Sequence, residues 1–246
     1  MKVAGKTDIG CIRSENQDDY RAGRLANGDA WGLVCDGMGG AQAGRLAATM
    51  STDWFESSMR SAIKNSLCQD PECLLEEAFQ GMNLNVYEHS RSHPECSGMG
   101  TTAVCAFVQN GIAHLAHVGD SRAYLFRNQR VVQLTKDHSM VQQLLESGQI
   151  TAAEAEKHPH KNLITRAIGV SRGVQVDHTA CPLAEGDILL LCSDGLSNMV
   201  SEEQLKNIIA NTSFFDVPER LVQLALRAGG QDNITVLVMG TEPGEV

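Results

Sequence analysis

Residues 188–195 read Ile-Leu-Leu-Leu-Cys-Ser-Asp-Gly, an apolar run that passes directly into an aspartate flanked by small residues. Five apolar residues have the length of a strand that is buried on both faces. The same pattern appears where residues 31–35 lead into Asp36, where residues 114–119 lead into Asp120, and where Asp232 precedes the apolar run 234–239. The repetition predicts buried strands with four carboxylates at their ends.

The rest of the sequence predicts an α+β fold with antiparallel sheets. Asn-Gly turn signals separate two pairs of predicted strands, 20–26 from 30–35 and 101–109 from 112–118. Further strands are predicted at 123–126, 131–134, 187–192 and 234–239. The spacing of apolar residues predicts helices at 44–61, 74–89, 201–210 and 217–228, with short helical pieces at 139–147 and 151–157. Because hairpins dominate and helices come in pairs between them, we expect layers of sheet covered by helices.

Composition and charge exclude several classes of protein. The 246 residues suit one domain, and 20 Lys+Arg against 30 Asp+Glu give a net charge of −10, which disfavours binding to nucleic acid or anionic membranes. No apolar run is long enough to span a bilayer and no signal peptide is visible, so we expect a cytoplasmic protein. Eight cysteines at irregular spacing, without a Cys-x-x-Cys pair, favour free thiols over disulfides or a zinc site.

The four strand-end aspartates favour a metal site. A single Asp-Gly pair is more often a turn, but four aspartates that each adjoin an apolar strand can converge at one sheet edge. Crowded carboxylates repel one another, and divalent cations would remove that cost. Oxygen ligands without His or Cys favour Mg²⁺ or Mn²⁺. Beside such a cluster, Arg13 in the polar loop 10–20 has the planar fork that suits a phosphate group.

A different interpretation starts from Gly119-Asp-Ser121. With Asp177-His178 as a distant partner pair, this serine could belong to a serine hydrolase, although the sequence lacks the second glycine of a nucleophile elbow. Chelator sensitivity would separate the two interpretations, since a serine nucleophile needs no divalent metal.

Taken together, the motifs resemble those of the bacterial metal-dependent Ser/Thr protein phosphatases of type 2C. The matches run in order along nearly the whole chain: Asp8-Ile-Gly-Cys-Ile-Arg-Ser-Glu-Asn-Gln-Asp18, Val34-Cys-Asp-Gly-Met-Gly-Gly40, Gly98-Met-Gly-Thr-Thr102, His117-Val-Gly-Asp-Ser-Arg-Ala-Tyr124, Leu134-Thr-Lys-Asp-His-Ser139, Ile164-Thr-Arg-Ala-Ile-Gly169, Cys192-Ser-Asp-Gly-Leu196 and Gln231-Asp-Asn-Ile-Thr-Val236. Each match alone is weak, whereas eight in order are highly specific.

The resemblance implies one catalytic domain over residues 1–246, with a mobile flap at about 139–163. Its fold would be a central antiparallel β-sandwich flanked by helices on both faces, with a metal cluster at one end. The implied metal-binding residues are Asp18, Asp36, Gly37 through its carbonyl, Asp120, Asp194 and Asp232. Of these, Asp36, Asp194 and Asp232 count as catalytic together with Arg13, which would bind the substrate phosphate, and His158 or His160 of the flap would touch substrate.

The implied activity is hydrolysis of phosphoserine and phosphothreonine by a metal-activated water, reversing a bacterial Ser/Thr kinase. The cofactor would be Mn²⁺ or Mg²⁺, with two core ions and a weaker third. The partners would be phosphorylated proteins and a cognate Ser/Thr kinase, and the enzyme itself would be a monomer. Two positions depart from the usual pattern. Met38 replaces the His of eukaryotic relatives, and Ala41-Gln-Ala-Gly-Arg45 replaces His-x-x-Gly-Glu. A catalytically inactive scaffold of the same fold is the remaining alternative, which the intact aspartates disfavour.

Overall fold

Two antiparallel sheets form the centre of the molecule in the computed structural model, which describes residues 1–25, 28–64, 70–156 and 158–241. The strands are β1 (Lys2–Asp8), β2 (Asp18–Arg24), β3 (Ala30–Met38), β4 (Gly100–Thr101), β5 (Ala103–Gln109), β6 (Ile112–Val118), β7 (Arg122–Arg127), β8 (Arg130–Gln133), β9 (Asp177–Pro182), β10 (Ile188–Cys192) and β11 (Ile234–Gly240). The first sheet has the order β1-β11-β10-β7-β8, and the second has β2-β3-β5-β6-β9 with β4 paired to β3.

Helices cover the outer face of each sheet. The helices are α1 (Ala41–Lys64), α2 (Pro71–Ser92), α3 (Met140–Glu146), α4 (Ala152–Glu156), α5 (Asp194–Ser197), α6 (Glu202–Asn211) and α7 (Val217–Arg227). The second sheet is covered by α1 and α2, and the first by α6 and α7. Phe55 of α1 and Phe79 of α2 pack with Phe107 of the second sheet, whereas Leu221 of α7 packs in a separate cluster with Leu190 of the first. A third cluster fills the space between the sheets. The α-β-β-α sandwich expected from the sequence is therefore confirmed.

The alternation of side chains in β10 explains why this strand reads as a continuous apolar run. Leu189 and Leu191 point into the space between the sheets, and Leu190 and Cys192 point toward the helices of the outer layer. Both faces are buried, so no position along the strand favours a polar residue. The strand is anchored on both sides, by β11 and by β7.

The sequence-based predictions missed two strands. Both β1 and β9 lie at sheet edges, and their side chains are mostly half-buried or exposed. Neither strand contains a continuous apolar run or has a hairpin turn signal beside it, so the sequence pattern gives little signal for them. The first Asn-Gly turn signal includes Asn27, which lies outside the described residues, as does Cys68. The seven described cysteines are free thiols, in agreement with the sequence analysis.

No helix in the described ranges is long and apolar enough to cross a membrane.

Candidate active site

The topology brings the predicted aspartates to one end of the sandwich. The register of β2 and β3 places Asp18 opposite Asp36, and Asp120 follows shortly after β6. Asp194 begins α5 directly beyond β10, and Asp232 lies just before β11. All of them except Asp18 line one cavity of about 450 Å³, and Asp18 lies buried beside Asp36 with 7% of its surface exposed.

The glycines after Asp36 and Asp194 allow close backbone packing and do not form turns. Neither glycine has a positive φ angle. A Cβ atom on Gly37 would lie 2.0 Å from the carbonyl oxygen of Gly44 in α1, and one on Gly195 would lie 1.9 Å from that of Asn233. A side chain at either position would push apart the elements that carry the aspartates. The turn interpretation of these two Asp-Gly pairs is therefore wrong.

Burial and mutual repulsion make the cluster costly to ionise. Burial raises the pKa of Asp18 to about 7 and that of Asp120 to about 7, and the nearby Asp194 contributes to both shifts. The pKa of Asp36 is raised well above its usual range, first by burial and then by Asp18. Burial also raises the pKa of Asp194, followed by the charge of Asp232. Positive charge placed among these groups would relieve both burdens.

The donor atoms fit a hard divalent cation. Oδ1 of Asp18 and Oδ1 of Asp194 are buried without any hydrogen-bond partner. An unpaired buried carboxylate oxygen is strongly disfavoured, and it is satisfied when the oxygen coordinates a metal ion. The cluster offers carboxylates and a backbone carbonyl, with no thiolate or imidazole ligand in the cavity lining. This donor set matches Mg²⁺ or Mn²⁺.

Arg13 lies at the edge of the same cavity. Its Nη2 donates a hydrogen bond to Oδ2 of Asp232 at 2.7 Å, and 53% of its side chain is exposed. The loop that carries it is fixed by Asn233, whose Nδ2 donates to the carbonyls of Ile9 and Glu15 at 2.9 and 3.0 Å. Asn233 lies within the last quoted motif, but nothing in the local sequence pattern predicts this role.

Comparison with known proteins identifies the family. The sequence profile described as Protein phosphatase 2C matches residues 11–234. The chain belongs to the protein phosphatase 2C family. It is 37% identical to the serine/threonine phosphatase stp of Listeria monocytogenes over 240 residues, which cover 97% of this chain and 95% of that protein.

Solved structures agree with this assignment. A serine/threonine phosphatase of S. agalactiae superposes with a TM-score of 0.87 at 34% identity, over 98% of this chain and 99% of that one. The catalytic domain of the phosphatase PstP in complex with two manganese ions has a TM-score of 0.84 at 34% identity, over 96% of both chains. The chain is thus a protein phosphatase of a metal-dependent family that hydrolyses phosphoserine and phosphothreonine.

The Asp120 loop of this phosphatase is held by residues that the sequence analysis did not single out. Nδ1 of His138 accepts a hydrogen bond from the backbone N–H of Gly119 at 3.1 Å, and the N–H of His138 donates to the carbonyl of Gly119 at 2.9 Å. Nε of Arg122 donates to Oδ1 of Asp137 at 2.9 Å. These contacts join chain segments about 15–19 residues apart, which a local sequence pattern does not reveal.

A second group of metal-ligand types, His117, His138 and Asp177, lies outside the aspartate cluster, and its members are engaged in contacts within the protein. Their ligand atoms lie within 4.8 Å of one another. Since Nδ1 of His138 is a hydrogen-bond acceptor, the proton of the neutral ring lies on Nε2, which faces Oδ2 of Asp177 at 3.3 Å. Burial lowers the pKa of His138 to about 4, so the ring is neutral near pH 7. Arg166 already donates to Asp177 at 2.6 Å.

The serine hydrolase interpretation is wrong. Oγ of Ser121 forms a hydrogen bond with Oγ1 of Thr102 at 2.7 Å and has no histidine partner. Nε2 of His178 is paired with Glu76 at 2.8 Å, and Asp177 is paired with Arg166. The groups required for a Ser-His-Asp triad are thus engaged in three separate contacts.

The predicted flap contributes Asn162 to the cavity wall, and Ile164, which follows the flap directly, lines the same cavity. His158 and His160 lie elsewhere in this segment, where the N–H of His160 donates to Nδ1 of His158 at 3.2 Å. A bridge between Ser139 and Ile164 closes the segment at its base. That residues 139–163 form a mobile flap, and that a histidine of this segment touches substrate, stay predictions.

The two departures from the family pattern occupy defined places. Met38 lines the cavity, where its thioether offers no titratable proton. Nη1 of Arg45 lies 3.5 Å from Oε1 of Glu15, and 66% of the Arg45 side chain is exposed. The aspartates of the cluster are intact despite both substitutions.

Proposed function

We propose that the aspartate cluster binds two core divalent ions and a weaker third, and that these ions drive dephosphorylation of phosphoserine and phosphothreonine in proteins. The observation that carries the proposal is the convergence of five carboxylates with two unpartnered buried oxygens at one end of the sandwich. Asp36 and the carbonyl of Gly37 would help to hold both core ions. Asp194 and Asp232 would complete the first site, Asp18 would hold the second through water, and Asp120 with Asp194 would hold the third.

The bound ions would supply Lewis acidity, lowering the pKa of a water molecule and drawing charge from the phosphate oxygens. Arg13 binds and orients the phosphate, since its exposed guanidinium reaches the cavity and has donors beyond the one used by Asp232. Asp36 and Asp194 hold the negative charge that positions the ions. Met38 stands where eukaryotic relatives carry a His and has no titratable proton, so we assign protonation of the leaving serine or threonine oxygen to water in the cavity.

The biological setting follows from the same assignment. A monomeric enzyme would act on phosphoproteins and remove the phosphate groups that a cognate Ser/Thr kinase adds. Manganese is the ion in the PstP complex, and either Mn²⁺ or Mg²⁺ suits the oxygen ligands here. A net charge of −10 repels acidic peptides at long range, so the proposal favours substrates with basic residues beside the phosphorylated position.

The test is hydrolysis of a phosphothreonine peptide by metal-stripped protein with Mn²⁺ or Mg²⁺ added back. We expect activity to return with metal and to fall at least a hundredfold in Asp36→Asn, because loss of a ligand should exceed the 10–100-fold loss typical of outer-shell changes. Asp53→Asn, an aspartate on the exposed face of α1 with 61% of its side chain exposed, is the matched control and should keep full activity. Folded protein that is inactive with every divalent ion would contradict the proposal and favour a binding scaffold.

A further inference from the structure

Asp18 differs from the other cluster aspartates because two buried hydroxyl groups hold one of its oxygens. Oγ of Ser193 donates to Oδ2 of Asp18 at 2.7 Å, and Oγ1 of Thr235 donates to the same oxygen at 2.7 Å. Both hydroxyl residues are fully buried. The other oxygen, Oδ1, is buried and has no partner.

The hydrogen bonds around these hydroxyl groups are consistent with a single assignment of donors and acceptors. The backbone N–H of Thr235 donates to Oγ of Ser193 at 2.9 Å, so Ser193 accepts there and donates to Asp18. Thr235 uses its single hydroxyl hydrogen for Asp18, and therefore Oγ1 of Thr7, at 2.8 Å, must donate to Thr235. Nδ2 of Asn16 in turn donates to Oγ1 of Thr7 at 2.9 Å. The chain of donors runs from Asn16 to Asp18 without a gap.

This chain of donors crosses the sandwich at the end that carries the site. Asp18 lies on β2 of the second sheet, whereas Thr7 and Thr235 lie on β1 and β11 of the first. Ser193 links β10 to α5 and immediately precedes Asp194. The carboxylate on the second sheet is thus oriented by hydroxyl groups of the first. Its orientation therefore depends on how the two sheets are placed relative to each other.

We propose that Ser193 and Thr235, supported by Thr7, are positioning residues that fix the carboxylate of Asp18 with Oδ1 directed toward the second core ion. This inference rests on the proposed function. Two donors occupy Oδ2, so only Oδ1 remains to face a metal-bound ligand. Outer-shell partners of this kind usually change metal affinity by 10–100-fold when they are removed.

A purely structural role would not require hydroxyl groups at these places. Burying a hydroxyl carries a cost that valine, which has nearly the same shape as threonine, avoids. Thr235 sits between apolar neighbours on β11, whose residues are all buried. We therefore infer that the hydroxyl groups are needed for their hydrogen bonds to Asp18. The experiment separates the loss of that hydrogen bond from a change in packing.

The experiment compares Thr235→Val, which keeps the shape and loses the donor, with Thr235→Ser, which keeps the donor and loses a methyl group. Calorimetric titration of the metal-free proteins with Mn²⁺ gives the affinity of each site, and urea unfolding gives the stability. We expect Thr235→Val to weaken one core site about tenfold, while Thr235→Ser stays within about threefold of wild type. A packing role predicts the reverse order, because Thr235→Ser leaves a cavity the size of a methyl group.

A second measurement tests whether the effect passes through Asp18. If it does, Thr235→Val adds no further loss of Mn²⁺ affinity in the background of Asp18→Asn. An equal loss in both backgrounds, or unchanged affinity in Thr235→Val, would overturn the inference. Failure of the proposed function would look different, since wild-type protein would then bind no Mn²⁺ at all. Urea midpoints of all variants confirm that the titrated proteins are folded.

Discussion

A buried carboxylate lies at each end of strand β10, and the two differ in their hydrogen-bond partners. At the start, Asp187 is 3% exposed and receives hydrogen bonds from Nε of Arg127 at 3.0 Å and from the N–H of Ala184 at 2.7 Å. At the other end, Asp194 joins four further carboxylates, and one of its oxygens has no partner. The first end is satisfied by the protein itself. The second leaves negative charge that the protein does not neutralise, which marks it as the end built for an exogenous cation.

The largest expected effect comes from replacing the aspartate by asparagine at each of the two ends and comparing the two variants. Asp194→Asn should lower kcat/KM at least a hundredfold, because it removes a ligand, and should leave the fold intact. Asp187→Asn should leave kcat/KM within about twofold and lower the free energy of unfolding by about 1–3 kcal/mol, since Arg127 then lacks its buried partner. Peptide hydrolysis and urea unfolding of both variants give the comparison. Similar activity losses in the two variants would remove the distinction between the ends.

Metal addition should act on one end alone. At a Mn²⁺ concentration of 100 times the dissociation constant of a site, occupation of that site should raise the free energy of unfolding by about 2.7 kcal/mol. Because Asp187 lies outside the cluster, Asp187→Asn should gain the same amount, whereas Asp194→Asn should gain much less. Thermal unfolding with and without Mn²⁺ measures the shift. A gain in Asp194→Asn equal to that of wild type would show that the ion binds elsewhere.

A smaller effect is expected from pH. Burial raises the pKa of Asp120 to about 7 from the ordinary value of 3.8, so between these values the folded state binds a proton that the unfolded state does not. The resulting stability is fully present below pH 3.8 and is lost as the pH rises through about 7. Metal-free wild type should therefore lose more stability between pH 6.5 and 8.0 than Asp120→Asn does. Histidines shared by both proteins cancel in this comparison of urea unfolding, and equal losses would contradict the assignment.

The sequence predicted those features that local patterning determines. Apolar runs that adjoin an aspartate located β10 and β11 and the cluster at their ends. A strand that is buried on both faces has consecutive apolar residues, so a local pattern is enough to find it. The support of the cluster was missed, since the hydroxyl of Thr235 reaches Asp18 across 217 positions. His138 was missed for a related reason, as its partner Gly119 belongs to a different element. The sequence pattern also did not show that glycine is needed at positions 37 and 195, where a Cβ atom would collide with a backbone carbonyl oxygen.

The position of β11 has a consequence for biosynthesis. This strand follows every other described strand in sequence, yet it lies inside its sheet, hydrogen-bonded to β1 on one side and β10 on the other. The first and tenth strands cannot be joined before it inserts, and Asp232 and Thr235 arrive with it. A nascent chain whose residues 232–240 are still inside the ribosome therefore has a gap in its first sheet and an aspartate cluster without Asp232, so it cannot yet act as a phosphatase.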